Sequence, residues 1–185
     1  TGGIGRHIVR ATALRITSLI RGPEKWLEGS GMAALWKCAA ETRQALCCLI
    51  NPQDLPGVDR MCALHPDTPV VIDHFARIGA DGQIRDTDLG NLCALAKHNH
   101  THVKVSAYYA LGNKQAPYAD LVPMIRRLYD AFGPQRLMWA SDCPFQVVGG
   151  HSYHDSIALI REGCDFMSAD DRRWREALKT VEEAV

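Results

Sequence analysis

The 185-residue sequence lacks net charge, 21 basic side chains being matched by 21 acidic ones. Without a basic excess or stripe to meet phosphate backbones, no binding to nucleic acid is expected. It also lacks any apolar run of about 18 residues, so no membrane-spanning helix is expected. The opening Thr1-Gly2-Gly3-Ile4-Gly5-Arg6-His7 has neither the apolar stretch of a secretory signal nor an initiator Met, and the chain is expected to begin partway through something longer. Gly2-Gly3-Ile4-Gly5 is no phosphate loop, because G-K-[ST] is missing and no clear strand precedes it. Nothing resembles the G-x-S-x-G of a serine nucleophile. The seven cysteines are odd in number and contain no C-x-x-C pair. Several lie in apolar runs such as Ala45-Leu46-Cys47-Cys48-Leu49-Ile50, which reads as buried free thiols in a reducing, cytoplasmic compartment. There is no internal repeat, low-complexity tract or linker, so residues 1–185 are read as one domain.

What is present is ordinary for a globular chain: 46% hydrophobic and 23% charged residues. Short runs with β-branched residues predict strands at Ala45–Ile50, Pro69–Asp73, His102–Ala107 and Arg136–Ser141, and a further run within Ile8–Ile16 reads as a strand or a helix edge. Between them, amphipathic spacing predicts helices at Leu55–Leu64, with Asp54 as N-cap, and at Thr87–Lys97, Tyr118–Phe132, Tyr153–Glu162 and Ala169–Glu183. The last is capped by Ser168, with Asp171 three residues on. Strands alternating with helices point to an α/β fold of βα units around a parallel sheet. Four or five such units fit an open doubly wound sheet or part of a (β/α)8 barrel, whose complete form takes roughly 200–250 residues or more.

In such folds reactive side chains gather beyond the carboxyl ends of the strands. That rule selects Asp73-His74-Phe75-Ala76-Arg77, Ser106-Ala107-Tyr108-Tyr109 and Ser141-Asp142-Cys143-Pro144. A His, an Asp and an Arg converging there supply a metal ligand or acid, a carboxylate base and a fork for an anion. The bland readings are a loop-bonded His74, a turn-capping Asp142 and a solvated Arg77. His98-Asn99-His100-Thr101-His102 has metal-like spelling, but it precedes its strand. His100 and His102 are therefore expected at the opposite end of the sheet. His151 and His154, in a Gly-led loop after Asp142, are placed to edge a pocket.

At these strand ends the sequence resembles the amidohydrolase superfamily. The resemblance rests on Val70-Val71-Ile72-Asp73-His74-Phe75-Ala76-Arg77, on Val103-Lys104-Val105-Ser106-Ala107 and on the block from Pro134 to Pro144. It is nearest to the branch of lactonases and 2-pyrone-4,6-dicarboxylate hydrolases. The resemblance implies a distorted (β/α)8 barrel holding a divalent metal, Zn or Mn. By it, His74 matches a metal ligand or carbonyl-polarising group, and Asp142 matches the aspartate that orients or deprotonates the attacking water and can also bind metal. Arg77 matches an arginine that holds a substrate carboxylate; Ser106 and Tyr108 fall at the mouth as further substrate-binding positions. The family's first-strand H-x-H is not found in place. The resemblance thus implies that the first two or three βα units are missing and that this chain alone is an impaired hydrolase. The implied substrate is a lactone or related ester of a carboxylated small molecule. The alternatives are a decarboxylase of the same superfamily, or a non-catalytic chain that associates with a second copy through open sheet edges.

Overall fold

The computed structural model describes residues 13–18 and 27–171. Five strands, β1 (Ala13–Thr17), β2 (Ala45–Leu49), β3 (Val70–Ile72), β4 (Thr101–Val105) and β5 (Leu137–Trp139), lie side by side in chain order, each parallel to the next. Sequential order settles the choice that the pattern of elements left open. A doubly wound sheet reverses its strand order at a switch point, whereas the wall of a (β/α)8 barrel never does. The chain forms an α/β unit of an incomplete barrel of that type.

The connecting helices are α1 (Ser30–Thr42), α2 (Leu55–Leu64), α3 (Asp86–Ala94), α4 (Val122–Phe132) and α5 (Tyr153–Ala158). Every predicted strand has its counterpart, and the uncertain one within Ile8–Ile16 is β1, its first five residues lying outside those described. The helix α1 was missed from the sequence although Met32, Leu35, Trp36 and Ala39 carry helical spacing: Trp36 and Ala39 are buried, and Met32 and Leu35 pack against the core. Leu55–Leu64 has the predicted bounds, but Asp54 does not cap it. Its carboxylate reaches back to the Asn51 amide (3.0 Å) and accepts from Ser18 Oγ (2.6 Å) instead. Tyr153–Glu162 is α5 continued by one π turn, Leu159–Gly163. The expected helix Ala169–Glu183 lies outside the described residues from position 172 onward. Its start shows the expected cap: the Asp171 amide donates to Ser168 Oγ (3.1 Å), and the Ser168 amide to Asp171 Oδ2 (3.2 Å).

Alternation along the strands sorts the side chains onto two faces. Leu46, Cys48, Val70, Ile72, Val103, Val105 and Leu137 point into the main core, where Leu92, Leu95, Ile125 and Leu128 pack on them. Each such buried Leu or Ile contributes roughly 1.5–3 kcal/mol. The other face carries the small cluster Ala45, Cys47 and Val71 and then turns ionic. Asp73 is fully buried, accepting from Lys104 Nζ (2.8 Å) and pairing with Arg15 Nε (3.2 Å) without hydrogen-bond alignment. All seven cysteines are free. Burial raises the thiol pKa of Cys47 and Cys48, so both stay protonated and inert. No helix of the described residues is long and apolar enough to cross a membrane.

Candidate active site

Beyond β3 the chain enters a left-handed turn. His74, Phe75, Ala76 and Arg77 all have positive φ, between 51° and 59°. None is glycine, and left-handed helical backbone costs L-residues roughly 1–2 kcal/mol each. Such strain persists only where the surroundings over-determine it. Asp73 anchors the start of the turn in the ionic cluster, and Phe75, Ala76 and Ile78 are fully buried. Just past it, Gly79 O accepts from the Gly112 amide (2.9 Å), clasping the loop to the one that follows β4. Gly112 has φ +58°, and a Cβ there would run into the Asp120 carboxylate and come within 2.8 Å of Leu121. Phe75 and Ala76 thus turn into the core, while His74 and Arg77 face the pocket.

His74 and Arg77 line an open pocket of about 580 Å³ together with Arg15, Ala107, Tyr109, Lys114, Asp142 and Phe145. His74 Nδ1 lies 2.8 Å from Ser106 Oγ, itself fully buried, and Nε2 stands 3.6 Å from Asp142 Oδ1. The second Asp142 oxygen accepts from Tyr109 Oη (2.8 Å). Burial lowers the His74 pKa below its ordinary 6.5, against the upward pull of Asp142 and Asp73. The imidazole is therefore neutral at pH 7. With the Ser106 hydroxyl donating to Nδ1, the proton sits on Nε2 and faces the Asp142 carboxylate without a direct hydrogen bond to it. The Arg77 guanidinium makes no hydrogen bond or ion pair among the described residues. It also borders a second cavity of about 390 Å³ lined by Asn51, Gln53, Asp81, Arg85 and Asp88.

Of the residues singled out in sequence, His74, Arg77 and Asp142 meet in one crevice and Ser106 supports His74 from behind. Tyr108 does not reach the mouth. It is fully buried, packs against Phe75 and Tyr118, and donates to Val105 O (3.0 Å). Ala107 is left-handed (φ 62°), which breaks the strand's alternation; Tyr108 goes into the core and Tyr109, two residues on, lines the pocket. His100 and His102 stay out of the pocket: His100 O accepts from the Val70 amide, and His102 is in register with Val71, early in β4. His151 Nδ1 lies 2.8 Å from Tyr118 Oη, and its ring meets Tyr109 edge-on (6.1 Å between ring centres); His154 is exposed beside Asp155. Arg15, Tyr109 and Lys114 were missed as pocket residues.

A divalent metal would find two candidate donors here, His74 and Asp142. Donors on tetrahedral zinc at about 2.0–2.1 Å stand about 3.3–3.4 Å apart, close to the 3.6 Å between His74 Nε2 and Asp142 Oδ1. No group of three His, Cys, Asp or Glu suited to a metal exists among the described residues. Catalytic zinc usually takes three protein ligands, so the described residues alone do not fit one.

The fold is that of an incomplete (β/α)8 barrel, and the candidate pocket lies beyond the carboxyl ends of its strands. The amidohydrolase family model matches residues 17–178, and the chain belongs to that family. It is 32% identical over 133 residues to an L-fucono-1,5-lactonase of Burkholderia ambifaria, an alignment covering 69% of this chain and 44% of the relative. It is 32% identical over 93 residues to a 4-sulfomuconolactone hydrolase of Rhizobium radiobacter, covering 50% of this chain and 30% of that one. The chain thus spans less than half the length of these curated relatives. An amidohydrolase of Burkholderia multivorans solved with bound zinc superposes with a TM-score of 0.72 at 23% identity, over 80% of this chain and 55% of the other. A Pseudomonas putida protein provisionally assigned as a 2-pyrone-4,6-dicarboxylic acid hydrolase gives 0.70 at 24% identity, over 90% and 59%. At these identities the two structures speak for the fold.

Proposed function

We propose that the chain carries the base and the anion-binding side of a hydrolase that opens lactones or related esters of carboxylated small molecules. The observation that carries this reading is the juxtaposition, in one pocket, of an unpaired Arg77 with the His74–Asp142 pair. Arg77 takes the substrate carboxylate in a two-pronged grip, reinforced by the positive charges of Arg15 and Lys114 in the same pocket. That grip sets the ring carbonyl near His74, whose Nε2–H donates to the carbonyl oxygen and stabilises the charge that develops on it. Asp142 Oδ1 accepts a proton from water as the water oxygen bonds to the carbonyl carbon. The ring C–O bond then breaks, and the alkoxide leaves with a proton returned from Asp142. A divalent metal, where a third donor completes the pair, would add Lewis-acid polarisation at His74 and Asp142.

The relatives acting on lactones support this substrate class, and the cytoplasmic, reduced setting is proposed from the free thiols. With both edges of the five-stranded wall unpaired among the described residues, we propose slow turnover by this chain alone, and pairing of the edges with a second copy as a competing fate. The test is hydrolysis of carboxylated and uncarboxylated lactones by the chain, with and without Zn²⁺ or Mn²⁺, beside Arg77→Met. The expected result is a preference for carboxylated lactones that Arg77→Met abolishes through KM. Equal rates on both, unaffected by the variant, would refute the reading.

A further inference from the structure

We propose that Tyr109 is a positioning residue that makes Asp142 a one-sided base, holding Oδ2 and leaving Oδ1 to the water. The inference rests on the reading of Asp142 as the base. A carboxylate on a short side chain rotates unless both oxygens are engaged or one is pinned. Here Oδ2 accepts a 2.8 Å hydrogen bond from Tyr109 Oη, whereas Oδ1 faces His74 Nε2 across 3.6 Å. That gap is too long for a direct hydrogen bond and suits a water lying beside it that bonds to both groups. Asp142 itself sits in the left-handed region, φ 53°, so its backbone alone does not lock the side chain in a common conformation.

Tyr109 is built to stay a donor. Burial, then the hydrogen bond to Asp142 and its charge, push the phenol up to about 12. Its ring is held on two sides, stacked on Phe145 (6.4 Å, 22° between planes) and met edge-on by His151. His151 is in turn fixed from behind. Gln146 Nε2 donates to Tyr118 Oη (3.0 Å), and the same oxygen hydrogen-bonds with His151 Nδ1 (2.8 Å). The His151 ring also lies stacked over Tyr118 (5.9 Å, 22°). The loop after β5 therefore fixes a tyrosine from the loop after β4, which in turn orients a carboxylate carried beyond β5. This gives His151 a place as the wall behind Tyr109, with Nδ1 engaged by Tyr118.

The rival account is that Tyr109 only packs the loops together. The experiment compares wild type, Tyr109→Phe and Asp142→Asn, each with ¹³C-labelled aspartate carboxyls, by NMR, by thermal melting and by kcat and KM on carboxylated lactones. Asp142→Asn identifies the Asp142 carboxyl signal by its loss. In Tyr109→Phe we expect that signal to move, melting to stay near wild type, and kcat to fall roughly 10-fold, as for a hydrogen bond to a charged group, with KM held within about two-fold. An unmoved signal beside an inactive Asp142→Asn overturns this inference alone. Wild-type turnover by Asp142→Asn overturns the base reading and this inference with it. Where no lactone is turned over, the carboxyl signal decides: movement supports the hold on Oδ2, and none overturns it.

Discussion

The two rims of the sheet handle polar groups in opposite ways. At the amino ends of the strands, Asp59 takes Lys97 Nζ at 2.9 Å and His98 Nε2 at 2.7 Å. Arg136 Nη1 there donates to the carbonyls of Ala96 and His98. Polar groups at this rim find partners within the chain. At the carboxyl ends, Arg77 is unpaired, Asp142 has one oxygen turned to a gap, and His74, Arg77, Ala107, Lys114 and Asp142 all hold positive φ. The helix-ending Arg43 aside, left-handed strain and unspent polar groups coincide on this rim. That is the physical mark of a site that waits for a ligand, and it separates the two histidine-bearing segments better than their spelling does.

Substitutions can break or sharpen the contrast. The largest effect is expected from Asp142→Asn, with kcat/KM for a carboxylated lactone falling roughly 10²- to 10⁴-fold, as for loss of a general base. Its melting temperature should be nearly unchanged, and an activity loss that tracks unfolding would erase the distinction. Next comes the ionic anchor: Lys104→Met leaves the buried Asp73 carboxylate only its unaligned pairing with Arg15 and should cost up to about 3–5 kcal/mol in urea unfolding. Lys97→Met on the other, exposed rim should cost about 1 kcal/mol or less. Equal costs would show that the cluster at Asp73 is no anchor.

A smaller effect follows from pH. His74 has a folded pKa below its ordinary 6.5, so the unfolded chain takes up a proton that the folded site refuses. Stability should therefore be unaffected by this group well above pH 6.5, fall as pH drops through that value, and level off below the folded pKa. Asp59 works the other way round. Burial raises its pKa, but hydrogen bonds from Lys97 and His98 outweigh that and bring it below 3.8, so its contribution holds above 3.8 and is lost as pH falls through the folded value. Urea midpoints at pH 7.5, 5.5 and 3.5, with His74→Gln flattening the first step and Asp59→Asn the second, test both signs. The smallest effect concerns Arg43, the left-handed residue that ends α1 at the quiet rim (φ 53°). Arg43→Gly should stabilise by about 0.5–1 kcal/mol and leave turnover unchanged.

Much of this was legible from residue patterns, and the exceptions have causes. The strands showed because apolar β-branched runs such as Val70-Val71-Ile72 are compulsory on a buried wall. His74, Arg77 and Asp142 showed because parallel strands deliver their last residues to one rim. Tyr109 lay in the selected segment, but the resemblance pointed to Tyr108 beside it; the left-handed Ala107 sends Tyr108 into the core and leaves Tyr109 to the pocket. Arg15 and Lys114 were missed because isolated cations look like solvated surface, and their place in the pocket arises from contacts distant in sequence. The left-handed run from His74 to Arg77 was invisible for a plainer reason: no glycine announces it.

The Gly79–Gly112 clasp has a further consequence, for protein engineering. The bond between Gly79 O and the Gly112 amide (2.9 Å), with Lys114 Nζ donating to Ala80 O (2.7 Å) beside it, makes the segments after β3 and β4 one mechanical part. A chimera that imports a new specificity loop from another barrel at either position would import half of a matched pair. Loop swaps in this scaffold should succeed when both segments travel together and fail when one travels alone.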